Sequence, residues 1–302
     1  MSAGKSVNFA ASIRQRLKNQ SNKDKRPFNE LLQYYAMERF LYRLSQSTHA
    51  ELFILKGALM LRVWRAPEVR PTMDIDMLGR TNNDEGSIIT QIKDIISVGV
   101  EPDGLIFDTD SIRVERITED ADYGGIRIRF AGRLDGAQIH MQIDIGFGDV
   151  IHPEAVMTEL PTILNSPIPT LLCYSRESAI AEKFEAMLKL GELNSRMKDF
   201  YDIWLLSRQF DFNGENLTTA LRLTLSHRGT TVPSDIVAFS KEFIDAKQIQ
   251  WTAFIKRLGQ EHIPANFSDI VSAVETFIQP VATAIISNSI PPSSWKSPDT
   301  WE

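Results

Sequence analysis

The chain has one cysteine in 302 residues, Cys173. No internal disulfide is possible, which fits a reducing compartment and excludes a small disulfide-stapled scaffold. Cys173 sits in the apolar run Thr170-Leu-Leu-Cys-Tyr174, where a buried thiol is expected rather than a nucleophile. Glycine and proline are sparse, at 16 and 14 residues, and a fibrous or low-complexity chain is excluded. No uninterrupted apolar run reaches the ~18 residues of a membrane span, and nothing before residue 52 has the apolar length of a signal peptide. The expectation is a cytoplasmic protein with no membrane partner. Basic residues are outnumbered, 33 Lys and Arg against 39 Asp and Glu, for a net charge of −6. That argues against general coating of nucleic acid, though a local basic groove stays open. No internal repeat is visible. What remains is ordinary globular composition, 43% hydrophobic and 24% charged, long enough for one large or two modest domains.

The most informative segment is Arg70-Pro-Thr-Met-Asp-Ile-Asp-Met-Leu78, which follows the glycine-broken apolar run Phe53-Ile-Leu-Lys-Gly-Ala-Leu-Met-Leu-Arg62. In an extended strand, residues i and i+2 point the same way, so Asp74 and Asp76 share a face while Ile75 and Met77 point to the core. Two close carboxylates repel, and a divalent cation keeps both ionised. Downstream, Ile139, Met141, Ile143 and Ile145 alternate with His140, Gln142 and Asp144, a period-two strand. If that strand is a neighbour, Asp144 joins Asp74 and Asp76 in the oxygen-rich site Mg²⁺ prefers. The alternative is three solvated carboxylates on exposed strand faces.

Along the chain, residues 1–27 read as a basic arm, with Ile13-Arg-Gln-Arg-Leu-Lys18 and Asn22-Lys-Asp-Lys-Arg26. A solvated arm is the default, an RNA contact the alternative. Pro27 opens a helix to about Ser47. A strand at Leu52–Leu55, the Lys56-Gly57 turn, a short helix at Ala58–Trp64 and the strand Met73–Leu78 follow. A helix over Asn82–Val98 precedes strands at Leu105–Asp108, Ile112–Ile117, Ile126–Phe130 and Ile139–Ile145. Arg127 and Arg129 share a face, as a polar sheet surface or beneath phosphates. Residues 28–155 thus form a mixed-sheet core, and residues 156–289 a helical domain. Within the latter, Ser175 caps a helix ending at Gly191, and a second runs from about Asn194 to Leu206. More helices are predicted over 213–226, 234–247, 251–258 and 266–287. The Pro/Ser-rich end, 290–302, is predicted to be disordered.

The two neighbouring helices carry a second polar set: Lys183, then Arg196, Asp199 and Asp202. Lys183 borders an apolar stripe and either snorkels to solvent or binds a triphosphate as a compact charge. Arg196 and Asp199 have the spacing of a surface salt bridge. A cleft with carboxylate-held metal on one side and cationic side chains on the other would suit a nucleoside triphosphate (NTP) with Mg²⁺.

These residues, taken in order, resemble the AbiEii/AbiGii toxin family of nucleotidyltransferases from abortive-infection and toxin–antitoxin systems. The resemblance rests on Phe53–Arg62, Arg70–Asp76, Gln142–Asp149, Ala181-Glu-Lys183 and Arg196-Met-Lys-Asp-Phe-Tyr-Asp202, and spans about residues 28–210. It implies an α+β fold with a polymerase-β-like nucleotidyltransferase core followed by a helical domain. It also implies that Asp74, Asp76 and Asp144 hold a two-ion Mg²⁺ site, with Asp144 as base for the attacking hydroxyl. Lys56, Gly57, Ala58, Arg70, Thr72, Lys183 and Arg196 then bind the NTP. Lys183 matches the family's essential lysine, and either Asp199 or Asp202 its later aspartate. Position 58 is Ala where the family usually has Gly or Ser, so any phosphate contact there falls to backbone N–H groups. The implied acceptor is RNA, with tRNA 3′ ends a known target class, and the implied partner an antitoxin, protein or RNA. Alternatives are a protein acceptor, a binding module that does not catalyse, and another Mg²⁺ enzyme such as a DxD glycosyltransferase or phosphohydrolase.

Overall fold

The computed structural model describes residues 9–66, 70–119 and 123–302. It divides into two compact units. Unit 1 takes residues up to Arg65, Pro71–Gly148 and Val156–Cys173; unit 2 takes Ala66–Arg70, Asp149–Ala155 and Tyr174–Glu302.

Unit 1 contains, in chain order, α1 (Phe9–Asp24), α2 (Phe28–Ser45), β1 (Phe53–Lys56), α3 (Met60–Val63), β2 (Ile75–Gly79), α4 (Glu85–Ile96), β3 (Leu105–Glu119), β4 (Tyr123–Leu134), β5 (Ala137–Phe147), β6 (Val156–Glu159) and β7 (Thr170–Cys173). One mixed sheet gathers the strands in the order β3-β4-β5-β2-β1-β7-β6. The β2–β5 and β1–β7 pairs are parallel; the other neighbours are antiparallel. The period-two pattern of β5 is realised: Ile139, Met141, Ile143 and Ile145 are buried, and the intervening His140, Gln142 and Asp144 are not. The β4–β5 hairpin turns at Asp135-Gly136, both with positive φ, 45° and 78°. Asp-Gly suits such a two-residue turn, and it fixes the register of everything above it.

Several expectations change in detail. The predicted strands at 105–108 and 112–117 are one strand, β3, with a register shift between Asp108 and Arg113. The helix after β2 starts later than Asn82, because Asp84 is the residue whose carboxylate accepts the Ser87 N–H. The first eight residues of the predicted arm lie outside the described residues. From Phe9 onward the arm is helix α1, with Ile13 and Leu17 buried and Arg16 Nη2 donating to Leu164 O at 2.6 Å. Its apolar stripe outweighs its charges, so it packs instead of remaining solvated.

Unit 2 contains α5 (Arg176–Leu190), α6 (Met197–Gln209), β8 (Phe212–Asn213), α7 (Gly214–His227), α8 (Lys241–Leu258), α9 (Phe267–Ser287), β9 (Ser294–Lys296) and β10 (Thr300–Trp301). Ser175 caps α5 as expected, its hydroxyl accepting from Ser178 N at 3.1 Å. Helix α9 is long and apolar enough to cross a membrane by composition, but its Phe267, Ile270, Val274, Phe277 and Val281 are buried in this unit. It is a core helix. The two helices predicted over 234–247 and 251–258 are one, α8, capped by Ser240.

The end of the chain is ordered, contrary to expectation. Strands β8, β9 and β10 form a small sheet, with Phe212 opposite Trp295 and Trp301 opposite Trp295. Trp295 is buried, its indole N–H donating to Ser207 O at 2.6 Å. Composition reads the Pro and Ser of this segment as disorder, but two tryptophans supply enough apolar area to anchor it.

Candidate functional site

The three predicted acidic residues meet. Asp76 on β2 is the direct Cα partner of Asp144 on β5, and Ile75 of Ile143. Asp74 lies just before β2, on the same side as Asp76, with Thr72 Oγ1 donating to its Oδ1 at 2.5 Å. Ligand atoms of Asp74, Asp76 and Asp144 all lie within 4.8 Å of one another. Three partly exposed carboxylates at that separation form a hard-oxygen donor set, the kind that suits Mg²⁺ or Mn²⁺.

The chain around them is built to leave room. Lys56, at the end of β1, is the register partner of Asp76. Gly57 follows with φ +74°, a conformation that side chains rarely adopt. A Cβ at this position would overlap the Asp76 carboxylate. Only glycine lets the chain turn here while Asp76 keeps its place. Ala58 is buried at the start of the turn into α3. Thr72 is buried, its backbone N–H donating to the Tyr34 hydroxyl at 3.2 Å. Burial pushes that Tyr34 phenol up from its ordinary pKa. A groove of about 660 Å³ opens beside Asp74, lined by Gln33 of α2 and by Arg129, His140 and Gln142 of the sheet. Gln33 Nε2 fixes one wall by donating to Met73 O and His140 O at 3.1 and 3.0 Å.

The second predicted set meets within unit 2. Lys183 Nζ lies 3.0 Å from Asp199 Oδ1 and 2.7 Å from Asp202 Oδ2. Arg70 grips Asp202 with two bonds, Nε to Oδ1 at 2.7 Å and Nη2 to Oδ2 at 3.0 Å. Arg196 Nε approaches Asp199 Oδ2 at 2.6 Å, an ion pair whose angle falls short of a hydrogen bond. Both aspartates are buried, and the Lys183 side chain keeps 17% of its exposure. Burial by itself would push Lys183 down and Asp202 up. The paired charges win on both sides: Asp202 and Asp199 hold Lys183 above the ordinary lysine value, and Arg70 with Lys183 holds Asp202 well below the usual carboxylate range. Lys183 is therefore neither a snorkelling surface lysine nor a lone charge. Arg196–Asp199 is likewise not an isolated surface bridge but one side of a five-residue cluster.

Sequence reasoning missed the partner of Asp144. Arg127 Nε and Nη2 donate to its Oδ1 and Oδ2 at 2.8 and 2.7 Å. The signal was present. Counting outward from the Asp135-Gly136 turn pairs Arg127 with Asp144 across the hairpin.

A family model described as nucleotidyl transferase AbiEii toxin, type IV toxin–antitoxin system, matches residues 39–275. The chain belongs to this family. No curated protein matches it in sequence. Two solved structures from Helicobacter pylori are similar. One, a candidate nucleotidyltransferase, is 14% identical with a TM-score of 0.49, covering 86% of this chain and 97% of its own. The other, JHP933, is 13% identical with a TM-score of 0.49, covering 85% of this chain and 94% of its own. As an AbiEii family member the chain is a nucleotidyltransferase of a type IV toxin–antitoxin system, which implies a nucleotide substrate and an antitoxin partner.

Proposed function

We propose that this AbiEii nucleotidyltransferase moves a nucleoside monophosphate from an NTP to the 3′ hydroxyl of an RNA, tRNA foremost, using divalent metal held by Asp74, Asp76 and Asp144. The observation that carries the metal reading is the Asp76–Asp144 register, which brings carboxylates from distant segments side by side with Asp74. Gly57 supports it, since that turn exists in a form that leaves the Asp76 carboxylate its space. When bound, Mg²⁺ would neutralise charge on the triphosphate and on the leaving pyrophosphate.

The remaining roles belong to the chain's own residues. Asp144 takes the proton of the acceptor hydroxyl at a carboxylate oxygen. The acceptor oxygen bonds to Pα as the bond from Pα to the bridging oxygen breaks, and pyrophosphate leaves. Lys56, Thr72 and the backbone N–H groups of Gly57 and Ala58 orient the phosphates. Lys183 and Arg196, with Arg70, supply fixed positive charge for the nucleotide, and Asp199 and Asp202 hold those cations in place. The groove beside Asp74 is the route proposed for the acceptor end, with Gln33, Arg129, His140 and Gln142 offering donors and acceptors to a polynucleotide.

The test is transfer of label from each α-labelled NTP, with Mg²⁺, to total RNA and, separately, to total protein. Label on tRNA-sized RNA supports the reading. Label on protein only replaces the acceptor, and no label on either removes the proposal.

A further inference from the structure

One face of the sheet carries a row of charge that crosses five strands. In register, Glu115 on β3 faces Arg127 on β4, Arg127 faces Asp144 on β5, Asp144 faces Asp76 on β2, and Asp76 faces Lys56 on β1. Directly opposed residues have their Cβ atoms about 5 Å apart, and like charges so placed destabilise a sheet. The adjacent pair Asp144 and Asp76 is therefore bracketed by a cation on each outer side.

The bracket on the Asp144 side is tight. Arg127 engages both oxygens at 2.8 and 2.7 Å, and Gln142 Nε2 adds a third bond to Oδ2 at 3.3 Å. The pair is partly shielded, with the two side chains 28% and 13% exposed. Asp144 in turn holds the Arg127 guanidinium above its ordinary pKa. A bidentate arginine–carboxylate pair is among the stronger charge-assisted contacts, and its cation cannot be titrated away. Yet Asp144 is also one of the three carboxylates whose ligand atoms cluster within 4.8 Å.

We propose that Arg127 is a stand-in cation that competes with the metal for Asp144 and so holds the affinity for a free divalent ion low. This rests on the reading of Asp74, Asp76 and Asp144 as the metal site. Two effects act in the same direction. The guanidinium occupies the oxygens an incoming ion would use, and its charge cancels one of the three negative charges that attract the ion. Arg127 acts through Asp144, so it is a positioning residue. The consequence is a site that fills well only when a ligand brings its own negative charge with the metal, as a triphosphate does.

The experiment is Mn²⁺ titration of the full-length protein without nucleotide, following free Mn²⁺ by electron paramagnetic resonance. Wild type is compared with R127Q, R127K, D76N and D144N, and circular dichroism verifies the fold of each. R127Q is expected to bind Mn²⁺ roughly fivefold tighter or more. R127K, whose single ammonium cannot span both oxygens, should gain about twofold. A merely structural arginine would not raise affinity when lost. Unchanged or weaker binding in R127Q, with D76N and D144N impaired, overturns the competition and leaves the metal site standing. Should R127Q not fold, no gain in R127K overturns it equally. Wild-type binding in both D76N and D144N removes the metal site itself.

Discussion

The α-carbon of Gly57 lies so close to the Asp76 carboxylate that an added Cβ would overlap Oδ2 and sit 2.6 Å from Cγ. The two residues belong to adjacent antiparallel strands or their immediate continuation, with Lys56 and Asp76 in register. The backbone at Gly57, φ +74°, would strain any side chain even in open space. Gly57→Ala is therefore expected to act twice. It should cost about 1–3 kcal/mol of stability from strain and crowding, read from urea unfolding. It should also push Asp76 out of line, so that transfer activity falls further than the unfolded fraction explains.

Metal removal and ligand removal should agree. EDTA is expected to abolish nucleotidyl transfer, with excess Mg²⁺ or Mn²⁺ restoring it. Asp76→Asn and Asp144→Asn should each lower the rate by at least about 10²-fold, because they weaken stabilisation of charge that develops in the transition state. Asp76 supplies no core volume, so the melting temperature of Asp76→Asn should stay close to wild type, whereas Asp144→Asn also weakens the Arg127 ion pair and should melt somewhat lower. Wild-type activity in either variant would contradict the assignment of that aspartate.

The cluster around Lys183 gives stability a pH dependence whose sign can be worked out. Asp202 has a folded pKa depressed below its unfolded value by Arg70 and Lys183. Its contribution is thus full above the ordinary carboxylate range and is lost as pH falls through it. Lys183 has a raised folded pKa, so its contribution is full below the ordinary lysine value and lost as pH rises past it. Between those limits the cluster contributes a plateau. Asp199→Ala removes one counter-charge from Lys183 and Arg196 together, and should cost about 3–5 kcal/mol near neutral pH. Asp202→Asn should flatten the acid limb of a plot of stability against pH, measured by urea titrations from about pH 5 down to pH 2.

Much of the sheet and of both residue sets was legible, for different reasons. Strand β5 announced itself because one face is buried and one is not, which imposes alternation on Ile139 through Ile145. Asp74, Asp76 and Asp144 could be grouped because the first two share a strand side and the third sits on another strand's polar face. Which strands pair is a tertiary fact, and the parallel β2–β5 contact that joins them carries no local signal. Arg127 was less hidden, since a two-residue Asp-Gly turn determines its partner by counting. Arg70 as the partner of Asp202 had no such signal. The two are 132 positions apart in the chain, and only folding brings them together.

The clearest mismatch, the ordered C-terminal segment, makes its own prediction. Trp295 fills a gap bounded by Phe277, whose ring centroid is 4.9 Å away, and by the Ser207 carbonyl, which accepts its indole N–H. Trp301 stacks on Phe277 at 5.8 Å and donates to Phe277 O at 3.1 Å. Gly214 N donates to Ser293 O at 2.9 Å, which ties the start of α7 to the same segment. A tail that merely trailed in solvent would be indifferent to mutation. Here Trp295→Ala should leave a cavity against α9 and an unpaired Ser207 carbonyl, at a cost of about 3–5 kcal/mol. Deleting residues 290–302 should do at least as much, since it also exposes Phe212 and Phe277. Thermal melts of both variants measure this directly. A melting temperature unchanged from wild type in both would show that the segment adds nothing to the core.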